Sequence, residues 1–269
     1  MNPAVRGIDE IHEPLARAWL EERIARPDTL GVLLYGSRAT GWAAPNGDYD
    51  ALAYLTPGAY RTLPPEETLI HLYATDEVPR RVVGDFSLLS DEHLAIHLAS
   101  PLDTDHWAYV DAVVLFDRRG DLDDWRRRIA AFPEAEWRER AFHKYLQLLI
   151  AVSYATKSDV AGREAERQIN LQRGSVAAIN LWFALQRRWA PPLKWWTHEI
   201  ERLGIRPDTR AVLEGAALAP TVDMLTHVRE HMKSEMRHAG IAEVDAVLPA
   251  FAATFHPARQ PAVYRSSYL

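Results

Sequence analysis

A short apolar run, Leu30 to Tyr35, ends in Gly36-Ser37, and ten residues later Asp48-Tyr49-Asp50 opens a second apolar stretch that reaches Leu55. A brief apolar run bounded by turn formers reads as a buried strand. Asp48 to Leu55 alternates polar and apolar residues before Pro57 and reads as a second strand. The segment between them, Gly36 to Gly47, is rich in Gly, Ala and Asn and reads as a loop holding at most a helical turn. Successive side chains of a strand point to opposite faces, so Asp48 and Asp50 lie on the same face.

Two carboxylates side by side are unfavourable unless a cation lies between them. Hard oxygen donors select magnesium over softer metals. Gly36 has no Cβ and lets the backbone approach a ligand, while Ser37 offers a hydroxyl and an N–H to a phosphate oxygen. A third acid is needed to hold a second ion or to take the proton of an attacking hydroxyl. Asp85 is the candidate, because it stands in the apolar run Val82-Val83-Gly84-Asp85-Phe86-Ser87-Leu88-Leu89, where an acid requires an explanation. Convergence of the three would suit two magnesium ions about 3.5–4 Å apart, flanking an in-line displacement at phosphorus. An isolated Asp-x-Asp more often marks a solvated turn. The apolar strand, the Gly-Ser, the gap and the later acid together set this one apart.

Tyr35-Gly36-Ser37-x10-Asp48-Tyr49-Asp50 resembles the signature of the DNA polymerase β-like nucleotidyltransferase superfamily, and the two-part layout is similar to that of the aminoglycoside and lincosamide nucleotidyltransferases. The resemblance covers the first half of the chain at motif level. In the second half only Leu193-Lys194-Trp195-Trp196 echoes a Lys-Trp segment of uncharacterised members. The resemblance implies transfer of a nucleoside monophosphate from an NTP, first of all ATP, to a hydroxyl, with release of pyrophosphate. It also implies that Gly36 and Ser37 contact the phosphates, that Asp48 and Asp50 hold magnesium, and that Asp85 is third ligand or base.

Strands and helices interleave up to about Ala131. Ile8 to Arg26 reads as a helix, Arg80 to Leu89 and Ala112 to Asp117 as strands, and Ser90 to Leu98 as a helix capped by Ser90. From Pro133 the pattern becomes helical throughout: Glu134–Tyr154, Arg163–Trp189, Leu193–Leu203, Thr209–Leu218 and Thr221–Arg237, punctuated by Pro and Gly. The expected fold class is therefore α+β, with an N-terminal mixed sheet flanked by helices over residues 1–132 and an all-α bundle over 133–269. The tail after Pro257 is expected to be irregular.

Arg38 could reach a phosphate through a forked contact, or stand in a solvated loop. Lys194 could serve a triphosphate tail or extend into water. Arg163, Arg167 and Asn170 share one helical face, which is most often a solvated one. Trp182, Trp189, Trp195 and Trp196 read as core rather than as a base-stacking platform. Arg138-x4-His143 matches a ribonuclease motif superficially and reads as two exposed residues.

The remaining composition narrows the function classes. The chain has 269 residues, no cysteine and a formal net charge of −6. Thiolate sites and disulfides are excluded, a grip on long nucleic acid is disfavoured, and a small-molecule acceptor is expected, a cationic one by steering. No apolar run reaches membrane-spanning length and no secretory leader is legible, so a cytoplasmic location is expected. His-Glu-x-x-His, Gly-x-Ser-x-Gly and a P-loop are missing. The alternatives are nucleotidylation of a protein or tRNA end, and a nucleotide-binding regulatory or antitoxin-like protein with the same fold.

Overall fold

The computed structural model describes residues 6–74 and 79–247. The tail after Pro257 lies outside them. The chain divides into two compact units, Met1–Ser100 with Asp105–Ala131, and Pro101–Thr104 with Phe132–Leu269.

The first unit is built on a five-stranded mixed sheet. Its strands are β1 (Thr29–Tyr35), β2 (Tyr49–Leu55), β3 (Leu69–Tyr73), β4 (Val82–Ser90) and β5 (Val113–Asp117), in the order β3-β4-β2-β1-β5. β2 and β4 run parallel, and the other neighbours are antiparallel. Two side-chain sets separate by period-two geometry. Val32, Leu34, Tyr49, Ala51, Ala53, Phe86 and Leu88 pack with Ala16 and Leu20 of α1 (Pro14–Ala25) in one core, where Trp19 stacks on Phe86 at 4.5 Å between ring centroids. Leu33, Leu52 and Tyr54 face the other side and pack with Leu94, Tyr109, Leu122 and Ile129. Those last four come from α4 (Glu92–Leu98), α5 (Asp103–Val110) and α6 (Leu122–Ala130). The short helices α2 (Gly36–Thr40) and α3 (Pro57–Arg61) complete this unit.

Several sequence readings need correction here. The helix expected from Ile8 starts at Pro14, after a separate 3-10 turn at Ile8–Glu10. Proline disfavours helical backbone at the residue before it and is itself suited to the first helical turn. Strand β3 was not anticipated; it is a five-residue edge strand, half exposed along its length, with too little apolar contrast to signal itself. The helices α5 and α6 were also missed. The helix expected from Ser90 begins at Glu92 with Asp91, not Ser90, at its N-cap and no side-chain cap; Ser90, one residue further out, has its Oγ accepting from Glu92 N–H at 3.2 Å.

The second unit is helical among the described residues: α7 (Trp137–Val160), α8 (Glu164–Leu185), α9 (Trp196–Arg202), α10 (Pro207–Leu218) and α11 (Val222–His238). Leu146, Val152, Leu171, Ala178, Phe183, Leu213, Leu225 and Met232 belong to one core. α8 and α11 approach closely at Gly174, where a Cβ would stand 2.5 Å from Leu225 Cδ1. Trp182 and Trp189 are buried, as read from the sequence. The segment Pro101–Thr104 joins this unit through Asp103. Its carboxylate lies 3.4 Å from Arg140 Nη1 and 3.9 Å from Lys144 Nζ, and it accepts from Ala190 N–H at 3.4 Å.

His143 is 6% exposed, so the reading of Arg138 and His143 as two exposed residues fails for the histidine. Burial, aided by the Lys144 charge, lowers its pKa to about 3. The unfolded ring titrates near pH 6.5, so between pH 6.5 and 3 the unfolded state binds the extra proton. Stability is therefore expected to fall as pH falls through that window, by at most about 1.4 kcal/mol per pH unit from this group. Melting curves from pH 7 to 4 should show a slope that flattens in His143→Phe; identical slopes would contradict this.

Candidate active site

Strand pairing aligns four side chains across a single rung of the sheet. Tyr35 on β1 pairs with Asp50 on β2, Asp50 pairs with Asp85 on β4, and Asp85 pairs with His71 on β3. Paired residues point to the same face, so Tyr35, Asp50, Asp85 and His71 form a row. Adjacent strands are about 4.8 Å apart, which makes Asp50 and Asp85 direct neighbours. Asp48 precedes β2 and is separated from Asp50 by Tyr49, which is buried in the opposite core at 2% exposure. Asp50 and Asp85 thus share one sheet face, and Asp48, just before β2, is near enough for its charge to act on Tyr35.

Gly36 is built into this row. It has φ +68°, and a Cβ added there would lie 2.2 Å from Asp50 Oδ2. Only glycine combines that backbone with that approach. Ser37 follows it inside α2 at 6% exposure.

Tyr35 reports the charge of the whole row. Burial raises its phenol pKa first, and the negative charges of Asp50, Asp85 and Asp48 raise it further. The phenol is consequently a neutral donor at any working pH. Behind it, Tyr54 and Tyr109 share a hydrogen bond at 2.5 Å, and the Tyr109 hydroxyl meets His97 Nδ1. Burial lowers the pKa of His97, which favours the neutral ring.

A family described as a domain of unknown function (DUF4037) matches residues 105–196. No curated protein matches the chain. Among solved structures, the chain is similar to a nucleotidyltransferase-like protein from Exiguobacterium sibiricum 255-15, with 14% identity, 83% of this chain and 76% of that chain covered, and a TM-score of 0.47. It is also similar to an aminoglycoside 6-adenyltransferase from Bacillus subtilis, with 8% identity, 93% and 98% covered, and a TM-score of 0.32.

Arg38 contacts its own loop. Its Nε and Nη2 donate to the Gly47 carbonyl at 3.2 and 2.5 Å, Nη2 also reaches the Pro45 carbonyl at 3.2 Å, and the guanidinium lies 4.6 Å from the Tyr49 ring centroid. Its fork fastens the loop that delivers Asp48. Arg38→Ala is expected to cost about 1.5–3 kcal/mol, the range for hydrogen bonds to a charged group. Arg38→Lys should recover little of it, because lysine has no fork. Urea unfolding of both variants checks this, and a wild-type midpoint in either would contradict the clamp.

Lys194 lies in the second unit, exposed in the 3-10 turn Leu193–Trp195, with Nζ 5.4 Å from the Trp195 ring centroid. Arg167 pairs with Glu164 at 2.7 Å and Asp159 at 3.5 Å, and Asn170 donates to the Glu166 carbonyl at 2.8 Å. Asn170 and the Arg167–Glu164 pair stay within α8, while the Arg167–Asp159 pair joins α8 to α7. His71 is the site residue that sequence reading missed. Leu69-Ile70-His71-Leu72-Tyr73 has no polar/apolar alternation to mark the strand or its histidine.

The donors at this end of the sheet are hard oxygens, suited to a divalent cation of the magnesium type. Among the described residues no three His, Cys, Asp or Glu are grouped so as to hold an ion by themselves. Magnesium commonly takes one or two carboxylates and completes its shell with water and substrate phosphate. The arrangement has the donors for that mode, though not a closed protein cage.

Proposed function

We propose that the chain is a magnesium-dependent nucleotidyltransferase that moves a nucleoside monophosphate from an NTP, first of all ATP, to a hydroxyl of a small acceptor. The observation that carries this reading is the pairing of Asp50 with Asp85 on one rung, with Gly36 fitted against the Asp50 carboxylate. Asp48, Asp50 and Asp85 would hold magnesium, two ions in the fullest form, and the metal would supply charge neutralisation at the triphosphate.

The protein's own groups have distinct tasks in this reading. Asp85 receives the proton of the attacking hydroxyl, for which a carboxylate within hydrogen-bond reach is required. Gly36 leaves room for phosphate oxygens beside the backbone, and the Ser37 N–H and hydroxyl are the nearest donors. Tyr35 is a neutral donor among the acids, able to fix a carboxylate without adding charge. The net charge of −6 favours a cationic acceptor, such as an aminoglycoside-like compound, during encounter.

The test is pyrophosphate release from each of four NTPs with magnesium, against pooled hydroxylated acceptors. Acceptor-dependent release with wild type, abolished by chelator, supports the reading. Tight NTP binding with no transfer to any acceptor class, protein and tRNA ends included, would favour the regulatory alternative. Asp85→Asn is expected to lower turnover by about 10²-fold or more, as removal of a general base does, with a smaller effect on NTP affinity. A wild-type rate would move the base elsewhere.

A further inference from the structure

We infer that His71 is a positioning residue for Asp85, holding one oxygen of that carboxylate so that the other is presented to the cation. The inference rests on the reading of Asp48, Asp50 and Asp85 as the cation-holding acids. His71 stands opposite Asp85 in the register of β3 and β4, and its Nδ1 lies 3.7 Å from Asp85 Oδ1. It flanks Asp85 on the side away from Asp50, because the strand order is β3-β4-β2. Asp85 therefore has an acid on one side and an imidazole on the other.

An aspartate that is 36% exposed, as Asp85 is, samples several side-chain orientations. Groups that hydrogen-bond a ligating carboxylate fix one of them and thereby raise affinity for the cation. Here the ring lies beside Oδ1, which leaves Oδ2 to a cation or an attacking hydroxyl. At 3.7 Å the two groups are neighbours just beyond hydrogen-bond distance, and the inference requires a side-chain rotation that closes the gap. Both side chains can make that rotation, being 40% and 36% exposed. The ring of Tyr73 stands 6.5 Å from that of His71 and bounds it on the same strand. Neither residue is needed to fill the core, since β3 contributes Ile70 and Leu72 to it.

The experiment measures manganese binding by electron paramagnetic resonance, with the ion alone and with α,β-methylene-ATP, on the full chain. His71→Ala is expected to raise the Kd for manganese by about 10–100-fold, the range for removing an outer partner of a ligand. His71→Asn keeps a donor near the Nδ1 position and should stay much closer to wild type. Melting temperatures of both should match wild type, as the side chain is half exposed. An unchanged Kd in His71→Ala, or equal losses in Ala and Asn, overturns the inference alone. Asp50→Asn is the control for the underlying reading. If wild type and Asp50→Asn bind manganese equally, or neither binds it, the acid site fails and this inference with it.

Discussion

Gly36→Ala is expected to lower turnover by about 10²-fold or more, because a displacement of about 1 Å in a reacting group can do so. The added methyl would sit 2.2 Å from Asp50 Oδ2 and 2.9 Å from its Cγ, so the carboxylate has to move. The backbone contributes separately. At φ +68° an L side chain meets its own carbonyl, which costs about 1–2 kcal/mol. The variant should therefore be slightly less stable and far less active. Asp50→Ala removes the clash with the carboxylate but not the backbone cost at φ +68°, so adding it to Gly36→Ala should recover only the part of the stability lost to the clash and leave turnover lost. Melting curves and pyrophosphate release on the three variants check both parts. Full turnover in Gly36→Ala would contradict the site's geometry.

The largest stability effect is expected at Asp103. Its carboxylate is the shared partner of Arg140 and Lys144 in the second unit, and the Asp103 and Arg140 side chains are 11% and 8% exposed. The Arg140 guanidinium also lies 4.7 Å from the Trp189 ring centroid, so it is enclosed by an aromatic face as well. Removing one partner of a buried pair leaves the other charge uncompensated, and about 3–5 kcal/mol is the usual consequence. Asp103→Ala should show a loss of that size in urea unfolding. Replacing Asp103 and Arg140 with apolar groups removes the more buried cation and leaves only Lys144, 20% exposed, without Asp103, so Asp103→Leu combined with Arg140→Leu should recover most of it. A double variant no better than the single one would mean that Asp103 acts through Ala190 N–H or the chain path rather than the ion pair.

Much of this site was legible because a strand has a short period. Asp48 and Asp50 could be put on one face from their spacing, and Asp85 stood out as an acid in an apolar run. The pairing of Asp50 with Asp85 could not be read, since sheet order comes from long-range contacts that leave no local pattern. His71 stayed hidden for a related reason: its strand is short, lies at the edge and is half exposed, so it lacks apolar contrast. Arg38 was legible as a cation beside Gly-Ser, yet its target was not. Its contacts with the Pro45 and Gly47 carbonyls depend on how the loop folds back. Pro14 is a local signal that outweighs periodicity, since it divides what periodicity alone joins into one helix. In the helical unit the reverse holds. α7 buries Arg140, Phe142, His143 and Tyr145 on several sides, so no polar stripe marks which of them meets water.

In the proposed function the acid row binds triphosphate through a divalent cation. Calorimetric titration with α,β-methylene-ATP, in magnesium and in chelator, tests it most directly, using wild type, Asp48→Asn and Asp50→Asn. The bare acids repel phosphate, so wild type is expected to bind only with magnesium or manganese present, and both variants to lose that metal-dependent binding while melting as wild type does. Equal affinity with and without the metal, or undiminished binding in both variants, would contradict the account.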